Sequence, residues 1–381
     1  MKLNYPKHHL VNIGHISRCQ ICNSNKLHTI LDLGHQPLCD SLLTKETLND
    51  PETTYPLRMV WCQNCTCVQL DYCVDGRLVY HPDYPYRSGI TKELAEYQTA
   101  LSESLVKKYN LTRKDLVIDI GSNDGTLLSG FKKQGVKILG VEPTNIAKIA
   151  NASGIRTIQK YFDMKVAKQI KKKYGSASLI TTTNTFAHMQ SLGEFIVGAH
   201  LLLKEGGTFV NETHYLLDII AGGQFDSIYH EHLRTYSLKA YISLFDQYDF
   251  TVTDAERGSR YGGNIRVHAT KGRGMPVSKN VKQLLKLEKD AGLGRLVTYS
   301  KFAQRVKMAR FEFMNFIYMF LAGEHIPIVN NQRLIDEQPD YVIILAWHLA
   351  KPIIEQLKAR GLKSDFVIPL PDFKLIKNSQ V

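Results

Sequence analysis

The sequence predicts an α/β protein with a Rossmann-like core, and three observations carry that reading. At LVIDIGSNDGTLL (116–128) a short apolar strand runs straight into a glycine-containing turn and then a helix. Strand-like and helix-like segments alternate through the middle of the 381-residue chain. All seven cysteines fall between Cys19 and Cys73, which sets the N-terminal region apart as a module of its own.

Four of those cysteines form two Cys-x-x-Cys pairs, Cys19 with Cys22 and Cys62 with Cys65. A two-residue gap lets both thiolates of a knuckle turn onto one ion, and two knuckles supply the four sulfurs that tetrahedral zinc takes. A redox pair or plain buried thiols would not account for the matched second pair. Four protein ligands leave no open position, so a Zn2+ here is expected to be structural. Cys39, Cys67 and Cys73 lack such pairing and read as small core residues.

In the core, the strand Leu116–Ile120 is followed by Gly121 and Gly125, which let backbone approach a ligand closely. Asp119, Asn123 and Asp124 place acceptors where a phosphate-binding loop would have bare backbone and a lysine. That set suits a methionine-type cofactor better than a pyrophosphate. A second strand, Val136–Val141, ends at Glu142 and Pro143, where a carboxylate at the strand tip can hold ribose hydroxyls. Helices are predicted at Met164–Tyr174 and Leu192–Leu203, with further strands at Ser178–Thr182, leading to Asn184, and Gly207–Asn211.

The formal charge of +12 favours anionic partners, whether nucleic acid, an acidic membrane surface or a diphosphate-bearing substrate. The basic runs 171–173 and 301–310 interleave with apolar residues and read as solvated helix faces. The first residues are too polar for a secretory peptide, and no window reaches the roughly 18 apolar residues of a membrane span. A cytoplasmic location with reduced cysteines is the default expectation.

Beyond the cysteine pairs and VIDIGSNDGTLL, the chain carries DYPYRSGIT (83–91), GVEPTNIA (140–147), NTFAHMQ (184–190), FDSIYHEHLRTYSL (225–238) and GSRYGGNIRVHA (258–269). In that order these segments resemble the sugar C-methyltransferases, which methylate a ketone-activated carbon of a nucleotide-linked deoxysugar. The resemblance implies S-adenosylmethionine as methyl donor and a zinc-binding module in front of the cofactor-binding domain. Such chemistry needs a base and a stabiliser for an enolate. By the same likeness His232 is the general base, with Glu231 holding its tautomer or binding a sugar hydroxyl. Tyr229 and His188 would line the sugar site, and Tyr84 or Tyr86 would approach the reacting carbon or the cofactor.

Without the resemblance, YHEH (229–232) reads as a polar loop; as an alternating strand it would put His230 and His232 on one face and Glu231 on the other. The tyrosine pair could equally be packing between module and core. The expected division is a zinc-binding module at 1–80, a methyltransferase domain at 81–270 and an α/β domain at 271–381. That last domain is expected to be truncated, because family members carry a glycine-rich turn after its first strand and this chain does not. It retains a strand (Tyr341–Ala346), a helix (Lys351–Arg360) and a strand (Asp365–Pro369), and the apolar run 311–321 demands burial against the core or a second copy. The expected partner is a nucleotide sugar, with no nucleic acid and no membrane, for a monomer or homodimer. Two other readings compete: a nucleic-acid methyltransferase, motivated by zinc and charge, and a non-catalytic or weakly active paralogue that keeps the fold.

Overall fold

The computed structural model describes residues 6, 9, 13–39, 43–80, 87–318 and 330–380. Tyr84 and Tyr86 lie outside them, as does the end of the run 311–321.

The N-terminal module comprises strands β1 (Gly14–His15), β2 (Leu27–Gln36), β3 (Tyr55–Cys62), β4 (Val68–Leu70) and β5 (Tyr72–Cys73), with the short helix α1 (Gly76–Val79) after them. Strands β2, β3 and β4 form an antiparallel meander, and β1 pairs with β5. The second cysteine pair occupies the β3–β4 turn, where the Thr66 amide donates to the Cys62 carbonyl, just as the Asn23 amide donates to that of Cys19. Asn23 and Thr66 both have positive φ, 58° and 62°, so each knuckle curls the same way around the same centre.

Helix α2 (Lys92–Lys108), capped by the Thr91 hydroxyl, leads into the core. The core then runs β6 (Leu116–Ile120), α3 (Thr126–Lys133), β7 (Lys137–Val141), α4 (Ile146–Ala152), β8 (Thr157–Ile158), α5 (Met164–Tyr174), β9 (Ala177–Thr183), α6 (Leu192–Leu202), β10 (Leu203–His214) and α7 (Leu216–Gly222). The predicted β6 and α5 match residue for residue, and the others agree to within a few residues at their ends.

After α7 come β11 (Arg234–Thr235), α8 (Leu238–Phe245), β12 (Phe250–Gly258) and β13 (Asn264–Lys271). The seven-stranded sheet has the order β12-β13-β10-β9-β6-β7-β8, with the last five parallel and β12 and β13 added as an antiparallel hairpin. Helices cover both faces, so the parallel strands are apolar on both sides. Val117, Leu179 and Val210 pack with Leu128 and Phe131, while Ile118, Ile180 and Phe209 face the other layer with Phe186 and Phe195. From β6 the chain winds to β7 on one side and returns to β9 on the other, and that reversal opens a crevice at the strands' C-terminal ends.

The module is stitched to the core. Strand β11 pairs antiparallel with β4, placing Arg234 opposite Gln69. Arg234 is buried, donating from Nε to the Tyr236 hydroxyl, from Nη1 to Gln20 Oε1 (2.6 Å) and from Nη2 to the Met189 carbonyl. Gln20 lies inside the first cysteine knuckle, so one guanidinium spans the metal loop and the core.

The C-terminal part begins with α9 (Lys279–Asp290) and α10 (Leu296–Tyr318) and ends with α11 (Asn331–Glu337), β14 (Tyr341–Ile343), α12 (Ala350–Ala359), β15 (Asp365–Ile368) and β16 (Lys374–Ile376). Strands β14 and β15 are parallel, as the strand-helix-strand reading requires, and β16 adds on antiparallel. Ile344, Ile354, Leu362 and Phe366 give this unit a core of its own. It is seated on the methyltransferase core by Trp347 Nε1, which donates to Asp226 Oδ2 at 2.9 Å, and through Asp372, which lies 3.4 Å from Arg305 of α10. The expected burial of the apolar run fails at its start: Phe311 is 61% exposed. No helix among the described residues is long and apolar enough to cross a membrane.

Candidate active site

A cavity of about 780 Å3 opens at the C-terminal ends of β6, β7, β9 and β10. Gly121, Asn123, Glu142, Pro143 and Asn184 line one half; His188, His214, Asp226, Tyr229, His232 and Tyr261 line the other.

The first half is built by the strand tips. Gly121 has φ +75°, and a Cβ there would lie 2.4 Å from the Thr185 side chain, so the turn admits only glycine. The Glu142 carboxylate accepts the Asn123 amide (3.0 Å), the Thr144 amide (3.0 Å) and the Thr144 hydroxyl (2.8 Å), which fixes its orientation at the cavity wall. Asn184 Oδ1 is buried without a hydrogen-bond partner among the described residues, an acceptor left over for a ligand. A carboxylate at the second strand tip, a tight glycine turn and an orphaned amide oxygen together fit an adenosine-bearing cofactor.

Two expected cofactor residues do not line this cavity. Asp119 points into the sheet and accepts the Thr181 hydroxyl at 2.7 Å; burial pushes its carboxyl up to about 7. Asp124 accepts the Gly89 amide through Oδ2 (2.8 Å) and the Thr126 hydroxyl through Oδ1 (2.6 Å). It therefore ties segment 87–89 across the glycine turn and steadies the start of α3. Asn123 does both jobs, lining the cavity while its Oδ1 accepts the Ser88 amide at 2.9 Å.

In the second half, YHEH is a turn and its four side chains separate. Tyr229 and His232 face the cavity. The His232 Nδ1–H donates to the Ser227 carbonyl (2.7 Å), which leaves the Nε2 lone pair on the cavity side, where the Tyr229 hydroxyl approaches to 3.0 Å. This corrects the expectation for Glu231: a backbone carbonyl holds the His232 tautomer. The buried Glu231 instead lies 3.8 Å from His188 Nδ1. His230 turns away, with its ring edge-on to Tyr55 of the module.

His188, His214 and His232 form a row, with ring centroids 5.0 Å and 5.1 Å apart on either side of His232. Burial keeps all three below the ordinary histidine range, His232 at about 4 and His214 at about 3, so the row is neutral near pH 7.

The four knuckle cysteines converge. Their Sγ atoms all lie within 4.8 Å of one another, with Cys19 to Cys65 at 3.5 Å and Cys22 to Cys62 at 3.6 Å. An all-thiol, closed set of this size fits a structural zinc ion. Cys67 and Cys73 are core residues as expected, but Cys39 is not: it is exposed, lines the cavity and donates to Glu231 Oε1 at 3.4 Å.

Sequence reasoning missed His214 and Tyr261. His214 sits at the last position of β10, and a polar residue at a parallel strand's C-terminal tip was signal enough to find it. Tyr261 holds φ +53° between Arg260 and a glycine pair, an unusual backbone for a bulky residue that no local pattern announces.

Three family profiles match consecutive stretches: a zinc binding domain over 19–80, a methyltransferase domain over 90–255, and a C-methyltransferase C-terminal domain over 259–320 and 317–371. C-methyltransferase NovU from Streptomyces niveus is 27% identical over 409 aligned residues, spanning 95% of this chain and 97% of that protein. Among solved structures, the YcgJ protein of Bacillus subtilis covers 47% of this chain at 15% identity and a TM-score of 0.38. An S-adenosylmethionine-dependent methyltransferase of Anabaena variabilis covers 46% of this chain and 85% of its own at 15% identity and a TM-score of 0.38.

The third profile overturns the expected truncation. The C-terminal domain is present, and its strand-helix-strand unit has its own buried core; the absent glycine-rich turn was too small a feature to stand for the domain. The chain belongs to the S-adenosylmethionine-dependent C-methyltransferases that join a zinc-binding domain, a methyltransferase domain and a C-methyltransferase C-terminal domain.

Proposed function

We propose that the chain methylates the 3-carbon of a 4-keto-6-deoxy nucleotide sugar, by way of an enolate. The observation that carries this reading is His232: a neutral imidazole, locked as the Nδ1–H tautomer, with its basic Nε2 facing a cavity large enough for both donor and acceptor. A carbon becomes a nucleophile only when a neighbouring ketone acidifies its proton, so a C-methyltransferase needs a base of this kind.

In this reading Gly121, Asn123, Glu142, Pro143 and Asn184 hold S-adenosylmethionine, which supplies an electrophilic methyl group when bound. His232 Nε2 takes the acceptor's proton, and the Tyr229 hydroxyl positions that nitrogen beforehand. His188, whose Nε2 is buried with no hydrogen-bond partner among the described residues, is free to bond a sugar hydroxyl, and Glu231 beside it orients the ring. Tyr84 or Tyr86 is assigned to the same wall on the family likeness alone. The division into a zinc module (1–80), a methyltransferase domain (81–270) and a C-terminal domain (271–381) belongs to the same proposal.

The test is incubation of the purified protein with labelled S-adenosylmethionine and a panel of 4-keto-6-deoxy nucleotide sugars, with product mass as readout. A product heavier by one methyl, placed on carbon by NMR, supports the reading. Cofactor turnover with a non-keto acceptor, and none with the panel, would overturn it.

Glu142→Gln should weaken S-adenosylmethionine binding by about 10-fold or more, the worth of a charge-assisted hydrogen bond. Titration calorimetry checks this, with an unchanged melting temperature showing that the turn has kept its shape. Equal affinity in the variant would remove Glu142 from the cofactor site.

A further inference from the structure

The proton abstracted by His232 leaves an electron pair that must go to the neighbouring carbonyl oxygen, and no residue assigned so far receives it. His188 turns its Nδ1 toward Glu231 and its Nε2 is already assigned to a sugar hydroxyl, and the Tyr229 hydroxyl is spent on His232. Asp226, on the same wall, accepts from Trp347 and carries the wrong charge. A donor without a negative charge is required within reach of the His232 side of the cavity.

We propose that His214 is that donor: its imidazole N–H holds the acceptor's carbonyl oxygen and stabilises the enolate that forms there. This rests on the keto-sugar reading above.

The geometry singles it out. His214 ends β10 at the mouth of the crevice, on a central strand held by β9 and β13, so its backbone is rigid. Its ring is 5.1 Å from His232 and 5.4 Å from Tyr261, centroid to centroid, and it lines the cavity. Yet it makes no side-chain hydrogen bond with any other described residue, whereas its neighbour His232 is bonded through both nitrogens. A mostly buried imidazole on a cavity wall with no hydrogen-bond partner among the described residues is placed for a ligand.

Tyr261 packs beside it on the same cavity wall. A tyrosine held at φ +53° between Arg260 and Gly262 costs backbone energy, and here it brings a ring against His214 with the Arg260 guanidinium 5.0 Å from the tyrosine ring on its other contact. Burial also keeps His214 uncharged, the state in which it retains one N–H to donate through the whole step.

The step balances. The C–H bond next to the ketone breaks, its proton goes to His232 Nε2, its electron pair forms the carbon-carbon double bond, and the carbonyl π pair moves onto oxygen. His214 keeps its own proton and hydrogen-bonds the oxygen before and after.

Enolisation can be read without methyl transfer, as exchange of the acceptor's α-hydrogen for deuterium in heavy water with S-adenosylhomocysteine bound. Exchange into dTDP- and GDP-4-keto-6-deoxy sugars should be about 100-fold slower in His214→Leu than in the wild type, and partly restored in His214→Gln, which keeps a donor. The affinity for S-adenosylhomocysteine, read by calorimetry, should be unchanged in both variants.

Wild-type exchange with equal exchange in His214→Leu overturns the role of His214 and leaves the substrate reading standing. Loss in both variants together with weaker cofactor binding reads as misplacement of the strand tip and also overturns it. No wild-type exchange with any keto sugar overturns the substrate reading, and this inference with it.

Discussion

His232→Ala is expected to lower kcat for methyl transfer by about 1,000-fold while leaving S-adenosylmethionine affinity within about 2-fold of wild type. The reason is positional. The imidazole is held by a backbone carbonyl that no substitution at 231 can remove, and its one basic nitrogen, met by the Tyr229 hydroxyl at 3.0 Å, faces the cavity. The residues proposed to hold the cofactor lie on the opposite half, at the tips of β6, β7 and β9.

The pH profile gives an independent check. His232 must be neutral to accept a proton, and burial, which disfavours the imidazolium, pushes it down to about 4. Activity of the free enzyme should therefore stay level as pH falls through the ordinary histidine value of about 6.5 and drop only near pH 4, provided the fold survives. An acid limb centred near 6.5 that persists in His232→Ala would move the base elsewhere. Buried neutral histidines also make the fold less stable toward acid: the unfolded chain takes up protons below about 6.5 that the folded chain refuses, so stability declines from there down.

Cys62→Ser, or removal of zinc by a strong chelator, is expected to have the largest effect on stability. Structural zinc binding contributes on the order of 10 kcal/mol or more, comparable to the whole stability of a domain. Left without metal, four thiols packed within 4.8 Å of one another have no other partner that satisfies all of them. The damage should spread beyond the module. Thr66, one residue past the second cysteine pair, shares a 2.6 Å hydroxyl contact with Ser237, whose side chain caps α8. Trp61 of β3 packs its ring 5.1 Å from that of Tyr299 on α10. Differential scanning calorimetry of the variant should show a melting temperature lower by more than 10 °C, with methyl transfer lost in parallel. A variant with unchanged melting and a full zinc complement by elemental analysis would refute the four-cysteine site.

Most of the fold was legible because its causes are local. β6 is a run of five buried residues followed by an obligatory glycine, and α5 has a clean apolar stripe of Val166, Ala167 and Ile170 beneath its lysines. The cysteine knuckles were legible for the same reason. What the sequence concealed depends on tertiary placement. Asp119 and Asp124 have the right spacing for a ligand, but pleat and turn direct one into the sheet and the other back onto Gly89. The YHEH run reads on its residues as a polar loop and gains site roles only from the family likeness, and a turn sends its side chains to three destinations. His214 lies eighteen residues upstream of His232 in sequence, and only the meeting of β10 with the turn makes them neighbours. Cys39 looked like core for want of a partner cysteine, but it sits at the cavity mouth.

The pairing of β11 with β4 has a practical corollary for anyone re-engineering the enzyme. Strand β11 follows the 229–232 turn by a single residue, Leu233, whose carbonyl accepts the Leu70 amide of the module. The N-terminal module is therefore not a cassette that can be trimmed, swapped between relatives or supplied separately. A graft at the boundary near residue 80 would cut no peptide bond near His232, yet it would strip β4, the strand against which the segment after His232 is registered. Chimeras that exchange acceptor preference will have to carry the module and the 225–238 segment as one piece.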